Sequence, residues 1–515
     1  MIKEIYTVVD CLQYNYENYP NNIAIVENDK EYTYSDVYQM VNYFTSYLIK
    51  NGIKRYDRVC IYMPNCIEFV IAIFSILRIG GVFVPINKIL KTSQAKYIYE
   101  NCEANGIIVL SEQIKENNIK YKFDNLIEFP QVFKYSYDMT KEFPRNIGTD
   151  LAAIIYTSGS TGFPKGVMIS HNNFIEGSRI VSDYLNLSEN DRILGLLSLS
   201  FDYGLNQLLS AFYVHASIFF QKDFLINQIP YLLNHYKITG LAGVPSIWIQ
   251  LTQLNKLNKY EYNKLRYITN SGGRLSLKCI KELKKHFVNT EIYLMYGLTE
   301  SFRSTYLAPI MIEEKYDSVG KAIPNTEVYI INQNGYECKP FEIGEIVSRG
   351  PLVTLGYWND IKSTNKVFKT NPINLQSNER VVYSGDKGYK DSEGYVFFVA
   401  RDNQIIKSKG YRTNPTQIED VLYTISGILE CMVMGVENNY SGDDDIIAYI
   451  RVKNNTDRKK FINLINETCR LQLPHYMCPS DIVFVQSFYK TTSGKYDFVK
   501  HKEEYLKKQH YDRMR

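Results

Sequence analysis

The densest chemistry in the chain is the run Tyr156-Thr157-Ser158-Gly159-Ser160-Thr161-Gly162-Phe163-Pro164-Lys165-Gly166. Its glycines let successive backbone N–H groups converge, its hydroxyls donate hydrogen bonds, and its lysine adds a positive charge. A polyphosphate cradle needs those three things. The run is not a Walker loop, which places Gly-Lys-Ser/Thr at a helix N-terminus. Here Pro164 precedes the lysine, and the apolar stretch Val167-Met168-Ile169-Ser170 that follows reads as a strand. The bland alternative is a Gly/Ser turn that binds nothing, but so many hydroxyls and glycines beside one lysine favour the cradle.

Such a loop must be held by rigid elements, and the surrounding pattern supplies them. Asp57–Asn65 reads as a strand, Cys66–Leu77 as a helix and Gly81–Pro85 as the next strand; Gly106–Leu110, Ala152–Tyr156, Ser217–Phe220 and Glu291–Tyr296 are further buried strands. Apolar runs alternating with helical patterns predict a multi-layer α/β region. From Tyr383 the texture changes, with Gly385, Gly388 and Gly394 breaking up short strands before polar Arg401-Asp402-Asn403-Gln404. Beyond lie a helix opened by Asn414-Pro415-Thr416, strands at Cys431–Met434 and Ile446–Val452, and a helix from about Thr456. The predicted organisation is a large N-terminal α/β region over 1–400, a hinge at 401–403, and a small, mobile α+β C-terminal domain over 404–515.

Composition narrows the functional classes. The chain has 515 residues, 45% of them hydrophobic and 22% charged, enough to bury a sizeable core. Lys and Arg exceed Asp and Glu by only 59 to 55, so no nucleic-acid partner is expected. The charged N-terminus argues against a secretory signal, and the apolar stretch Phe69–Leu77 is broken by Arg78 well short of a membrane span. The 9 cysteines lack metal-ligand spacing. These features predict a reduced, cytoplasmic protein without a zinc site.

Four further motifs follow the loop in order: Ser271-Gly272-Gly273-Arg274, Tyr296-Gly297-Leu298-Thr299-Glu300, Tyr383-Ser384-Gly385-Asp386 with Arg401–Gly410 after it, and Ser493-Gly494-Lys495. Together with the loop they resemble the adenylate-forming superfamily of acyl-CoA synthetases, peptide-synthetase adenylation domains and luciferase-type enzymes. The likeness spans nearly the whole chain and is closest to stand-alone AMP-forming acyl or aminoacyl ligases that serve a carrier protein. It implies a ligase in which a carboxylate attacks the α-phosphate of Mg-ATP to give an acyl adenylate, and a thiol of CoA or of carrier-protein phosphopantetheine then displaces AMP.

Under that resemblance Lys495 supplies positive charge where the pentavalent phosphate gathers it, with Thr299 and Glu300 as its catalytic companions. Lys165 and the Thr157, Ser158, Ser160 and Thr161 hydroxyls, on a backbone opened by Gly159 and Gly162, orient the β- and γ-phosphates. Glu300 holds Mg²⁺ with phosphate oxygens and water. Asp386 accepts from the ribose diol, Arg401 donates to the same sugar, and Ser271, Gly272, Gly273 and Arg274 with Tyr296 and Gly297 bracket the adenine. Taken singly, Asp386 suits a turn, Glu300 a helix cap, and Lys495 a solvated tail; their shared register reverses those readings. His171 is assigned a structural role.

Three positions depart from the family pattern: Ser384 for threonine, Ala400 for glycine, and Asn403 at the hinge, where Asp or Lys is usual. The last bears on the rate of domain rotation. Gly410, in the loop that lines the family's thiol tunnel, is retained. The acid pocket is assigned to Asp202, Tyr203, Asn206, Met295 and Arg303. Asp202 aligns with the aspartate that pairs with substrate ammonium in amino-acid-activating relatives, and a buried carboxylate needs a cation. Either a small amino acid supplies that cation, or Asp202 pairs with Arg303 and the pocket takes a neutral acid. The alternatives are an acyl-CoA synthetase for a fatty or aromatic acid, a catalytically silent nucleotide-binding protein, and an oxidative luciferase-like enzyme without positive support.

Overall fold

The computed structural model describes residues 5–117, 122–130, 145–157, 164–221, 225–401, 406–408, 411–438, 443–452, 457–492 and 494–514. Among them, two large sheets carry most of the N-terminal region. One has nine strands in the order Lys321–Ala322, Thr305–Leu307, Glu291–Tyr296, Tyr267–Asn270, Gly240–Gly243, Arg192–Leu194, Ser217–Phe220, Ile23–Glu27, Lys30–Thr33. From Glu291–Tyr296 to Ile23–Glu27 the pairings are parallel. The second, seven-stranded sheet runs Gly356–Tyr357, Lys165–Ser170, Leu151–Thr157, Val82–Asn87, Arg58–Met63, Gly106–Val109, Leu126–Glu128.

The apolar run of the sequence forms the helix Ile67–Ile79, buried on nearly every side. A helix that is apolar all round belongs inside a core rather than on a surface. Gly80 ends it in the left-handed conformation (φ 81°), which glycine adopts at no steric cost. Its Phe74 stacks on Phe212 at 5.2 Å, near the C-terminal end of the helix Asp202–Tyr213. Burying each such ring contributes roughly 1.5–3 kcal/mol. The far end of that helix is thereby anchored in the core, and its first residues, Asp202 and Tyr203, are left at the site.

The strands broken by glycine after Tyr383 belong to a third sheet, in which Arg380–Lys390 pairs with Gly344–Arg349, Phe368–Thr370 and Val396–Arg401. Past Arg401 the chain forms a hairpin of Ile406–Ser408 and Tyr411–Thr413 and a three-stranded sheet of Ile428–Glu437, Asp444–Val452 and Asp481–Phe484. Helices Pro415–Thr424 and Arg458–Gln472 cover it through their own apolar cluster around Ile418, Leu422, Ile450 and Ile465. The architecture is mixed α/β with a large N-terminal and a smaller C-terminal region. Among the described residues no helix is long and apolar enough to cross a membrane.

Candidate functional site

The parallel strands Gly240–Gly243, Tyr267–Asn270 and Glu291–Tyr296 end side by side, and the loops leaving their C-terminal ends form the floor of the site. Open α/β sheets bind ligands beyond those ends. After Tyr296 the chain turns back sharply to Thr305–Leu307. Gly297 is required in that turn, because a Cβ there would lie 2.9 Å from the Arg303 Cα. At the tip, Phe302 has φ 54° and ψ −57°, and the Arg303 N–H donates to the Ser301 carbonyl at 2.5 Å. This is a γ-turn of the strained, positive-φ kind, costing of order 1–3 kcal/mol. Packing over-determines it: the Phe302 ring is fully buried, edge-on to Phe174 at 5.8 Å, and fills the space where Gly177 lacks a side chain.

That turn presents Glu300 on one side and Arg303 on the other. Glu300 Oε1 accepts from the Tyr357 hydroxyl at 2.5 Å, and burial with the neighbouring Glu300 charge pushes the Tyr357 pKa up. Tyr357 also lies 5.3 Å below the Lys165 ammonium. Lys165 donates to Ser363 Oγ at 2.6 Å and stands 3.9 Å from Asp360 Oδ2, the carboxylate that caps the helix Ile361–Val367. Thr157 and Lys165 are paired where the antiparallel strands on either side of the hydroxyl-rich segment meet. Ser158, Gly159, Ser160, Thr161 and Gly162 lie outside the described residues, as do Asn403 and Gly410.

No group of three or more His, Cys, Asp or Glu side chains among the described residues could hold a metal by itself. Glu300 has one carboxylate oxygen beyond the one bonded to Tyr357. A single carboxylate suits Mg²⁺, which characteristically takes its remaining ligands from phosphate and water.

The residues of the expected ribose site are joined around one buried carboxylate. Asp386, 1% exposed, accepts from the Tyr296 hydroxyl at 2.7 Å and from Arg401 Nε at 2.9 Å. Asp386 and Arg401 are direct partners across the Arg380–Lys390/Val396–Arg401 pairing. Ser384 holds the turn, donating to the Ile346 carbonyl at 2.6 Å and accepting from the Asp386 N–H at 3.0 Å; the serine thus keeps a hydroxyl at that position.

Lys495 reaches the same cleft from the C-terminal region. Its Cε lies 3.1 Å from where a Cβ on Gly272 would stand, and Gly272 has φ 79°. Thr492 and Gly494 carbonyls accept from Asn87 Nδ2 and Ser246 Oγ, each at 3.3 Å. Crowding by protein and the Arg401 charge lower the Lys495 pKa, while the Asp202, Asp386 and Glu300 carboxylates oppose that. The residue still keeps solvent-exposed surface, and its ammonium makes no ion pair among the described residues. Behind it, buried Glu430 accepts from the Tyr496 hydroxyl at 2.9 Å and from Arg451 Nε at 2.9 Å. Adjacency to Lys495 is the only sequence signal for that support.

The pocket residues separate into two groups. Tyr203, Asn206, Met295 and Arg303 line one small cavity of about 20 Å³, together with Gln207 and Ser210. Tyr203, Asn206, Gln207 and Ser210 share one face of the helix Asp202–Tyr213 at the i, i+3, i+4, i+7 spacing; that spacing is legible in the sequence and would have added the last two. Asp202 stands outside, at the first helical position. The Asp202–Arg303 ion pair, one of the two alternatives for Asp202, is not formed: Arg303 donates to Ser271 Oγ at 3.2 Å and lies 4.8 Å over the Tyr203 ring. The γ-turn directs it into the cavity, away from the helix start. Arg274 has a partner in the C-terminal region. Its Nη1 donates to Asp420 in the C-terminal region at 2.7 Å, where it bridges the two parts of the chain. His171 is buried, accepts from the Val8 N–H at 3.2 Å, and has its pKa pushed down by burial to about 4.

Comparison with known proteins follows this division of the chain. Residues 12–358 match the family model of AMP-binding enzymes and 417–495 that of the AMP-binding enzyme C-terminal domain. A long-chain-fatty-acid–CoA ligase of Bacillus subtilis is 25% identical over 93% of this chain and 90% of its own length. Gramicidin S synthase 2 of Aneurinibacillus migulanus is 27% identical over 95% of this chain but only 11% of its own. An o-succinylbenzoate coenzyme A synthetase of Bacillus subtilis, solved with ATP and magnesium ion, has the same fold, with a TM-score of 0.83 at 22% identity, covering 94% of this chain and 98% of that one. The chain belongs to the AMP-binding enzyme family.

Proposed function

With that membership as the premise, we propose that the protein is an AMP-forming acid–thiol ligase. It activates a carboxylic acid with Mg-ATP as an acyl adenylate and transfers the acyl group to the thiol of CoA or of carrier-protein phosphopantetheine. One observation carries the reading: Lys495 lies against the Ser271–Gly273 loop, in the same cleft as Asp386, Arg401 and Glu300.

In the first step a carboxylate oxygen bonds to the α-phosphorus and pyrophosphate leaves. Two anions must meet, so fixed positive charge is decisive. Lys495 supplies it from a region that can withdraw, and Lys165 and the hydroxyl-rich loop hold the departing phosphates. Mg²⁺ on Glu300 would neutralise phosphate charge. Asp386 and Arg401 fix the ribose, with Ser271, Gly272, Gly273, Tyr296 and Gly297 around the base and Thr299 beside Glu300. In the second step a thiolate bonds to the acyl carbon and AMP leaves, the thiol proton passing to solvent.

A second reading, activation of a small amino acid, is favoured by Asp202. Its carboxylate makes no hydrogen bond or ion pair among the described residues and faces the cleft within electrostatic reach of Lys495, where a substrate ammonium would complete it. The apolar wall of Val181, Leu187, Ile193 and Met295 suits the acyl-CoA synthetase reading instead.

The test is acid-dependent exchange of labelled pyrophosphate into ATP across aliphatic, aromatic, dicarboxylic and amino acids. Exchange with at least one acid is expected, and none despite measurable ATP binding would overturn the ligase in favour of a silent nucleotide-binding protein. Comparing AMP release with CoA against a phosphopantetheinylated carrier protein then identifies the acceptor.

A further inference from the structure

A poorly satisfied buried cation, the Arg303 guanidinium, lines the acid cavity. Arg303 is 3% exposed, and no carboxylate lies within ion-pair distance of it among the described residues. One nitrogen donates to a neutral serine and the plane rests on Tyr203, but Nε–H has no acceptor among the described residues. A buried cation held only by neutral partners is costly, because solvation lost on burial is not recovered. The cavity holds further unmet groups: Asn206 Nδ2 and Ser210 Oγ are also buried without partners, as is Gln207 Oε1. Two unmet N–H donors, one of them charged, and a hydroxyl able to donate face a single unmet acceptor. An aliphatic or unsubstituted aromatic tail would leave all of them stranded.

We infer that the cavity is a subsite for a second anionic group, so that the acid activated is a dicarboxylic acid. One carboxylate is adenylated beside Lys495, and the other is held by Arg303, Asn206 and Ser210. The inference rests on the ligase reading and deepens it. Asp202 is not part of the subsite, so the second carboxylate is called for whether or not the substrate also bears an amino group. The free space is small, about 20 Å³, and favours a compact acid over an extended chain.

The experiment is pyrophosphate exchange and AMP release with matched triplets of equal chain length: the dicarboxylic acid, its half-amide and the monocarboxylic acid, each with and without an α-amino group. The dicarboxylic member should exceed both others in kcat/KM by at least about a hundredfold, since a site built for a polar group rejects analogues lacking it. In Arg303→Met that ratio should collapse to below about tenfold. A half-amide or monocarboxylic acid used as well as the diacid by the unaltered enzyme overturns the inference while leaving the ligase intact. Absence of exchange with every acid overturns the ligase reading instead. If Arg303→Met does not fold, the preference of the unaltered enzyme decides by itself, and Asn206→Leu, which removes a donor without removing the charge, should lower the ratio by about tenfold.

Discussion

Asp386 and Lys495 bring charge to one cleft in opposite ways. Asp386 is buried, fixed by the backbone register of its own sheet, and paired on both oxygens before any ligand arrives. Lys495 comes from another region on a short hairpin closed by the Lys490–Tyr496 bridge, keeps exposed surface, and has no ion-pair partner among the described residues. A group that binds the ground state gains from being rigid beforehand. A group that acts when charge builds on the phosphate should be unspent until then, because only interactions stronger in the transition state accelerate the step.

The comparison breaks most visibly at Lys495. Lys495→Ala should lower kcat for adenylation by about a thousandfold or more, the scale of removing a preorganised electrostatic partner, with little change in the Kd for ATP. Rapid-quench measurement of acyl adenylate beside calorimetry with ATP checks both halves. An equal loss in ATP affinity would mean that Lys495 acts in ground-state binding instead.

Asp386→Ala should show the reverse pattern. It strands the buried Tyr296 hydroxyl and frees Arg401, so stability should fall by about 2–3 kcal/mol, below the full cost of a broken buried pair because Arg401 is half-exposed. The KM for ATP should rise more than kcat falls. Urea denaturation and steady-state kinetics are the measurements.

A finer effect concerns pH. Burial first, and Arg401 second, lower the Lys495 pKa, so its proton is lost at lower pH than an ordinary lysine's and adenylation should decline earlier on the alkaline side. Arg401→Leu removes a neighbouring positive charge and should move that limb to higher pH, read from single-turnover rates against pH. The smallest effect is expected at Arg274→Gln. Its ion pair with Asp420 is partly exposed, at 27% and 43%, and worth at most about 1 kcal/mol. Adenylation should slow less than about fivefold, and added salt should erase the difference.

The sequence disclosed the parts of the site carried by contiguous motifs, since a Gly-rich turn or a strand followed by Thr-Glu constrains its own backbone. The strands and the buried helix around Phe69–Leu77 were legible for the same reason: apolar runs bounded by turn residues are local signals. Supports that arrive from afar left no local trace. Tyr357, Asp360 and Ser363 meet Glu300 and Lys165 only because Gly356–Tyr357 adds to the seven-stranded sheet. Arg303 and Asp202 looked like partners because both were assigned to one pocket, but a helix start and a γ-turn point them to different places. Arg274 could not be placed without knowing where Asp420 docks.

The strained turn at Phe302 has a bearing on how such an enzyme diverges. Phe302 and Gly177 form a lock whose two halves can change only together, because a side chain at 177 collides with the ring and a smaller residue at 302 releases the turn. Arg303, one position on, carries no such obligation. A change at 303 would therefore alter the cavity lining while leaving the Phe302–Gly177 packing in place, and related sequences should be conserved at 177 and 302 but scattered at 303.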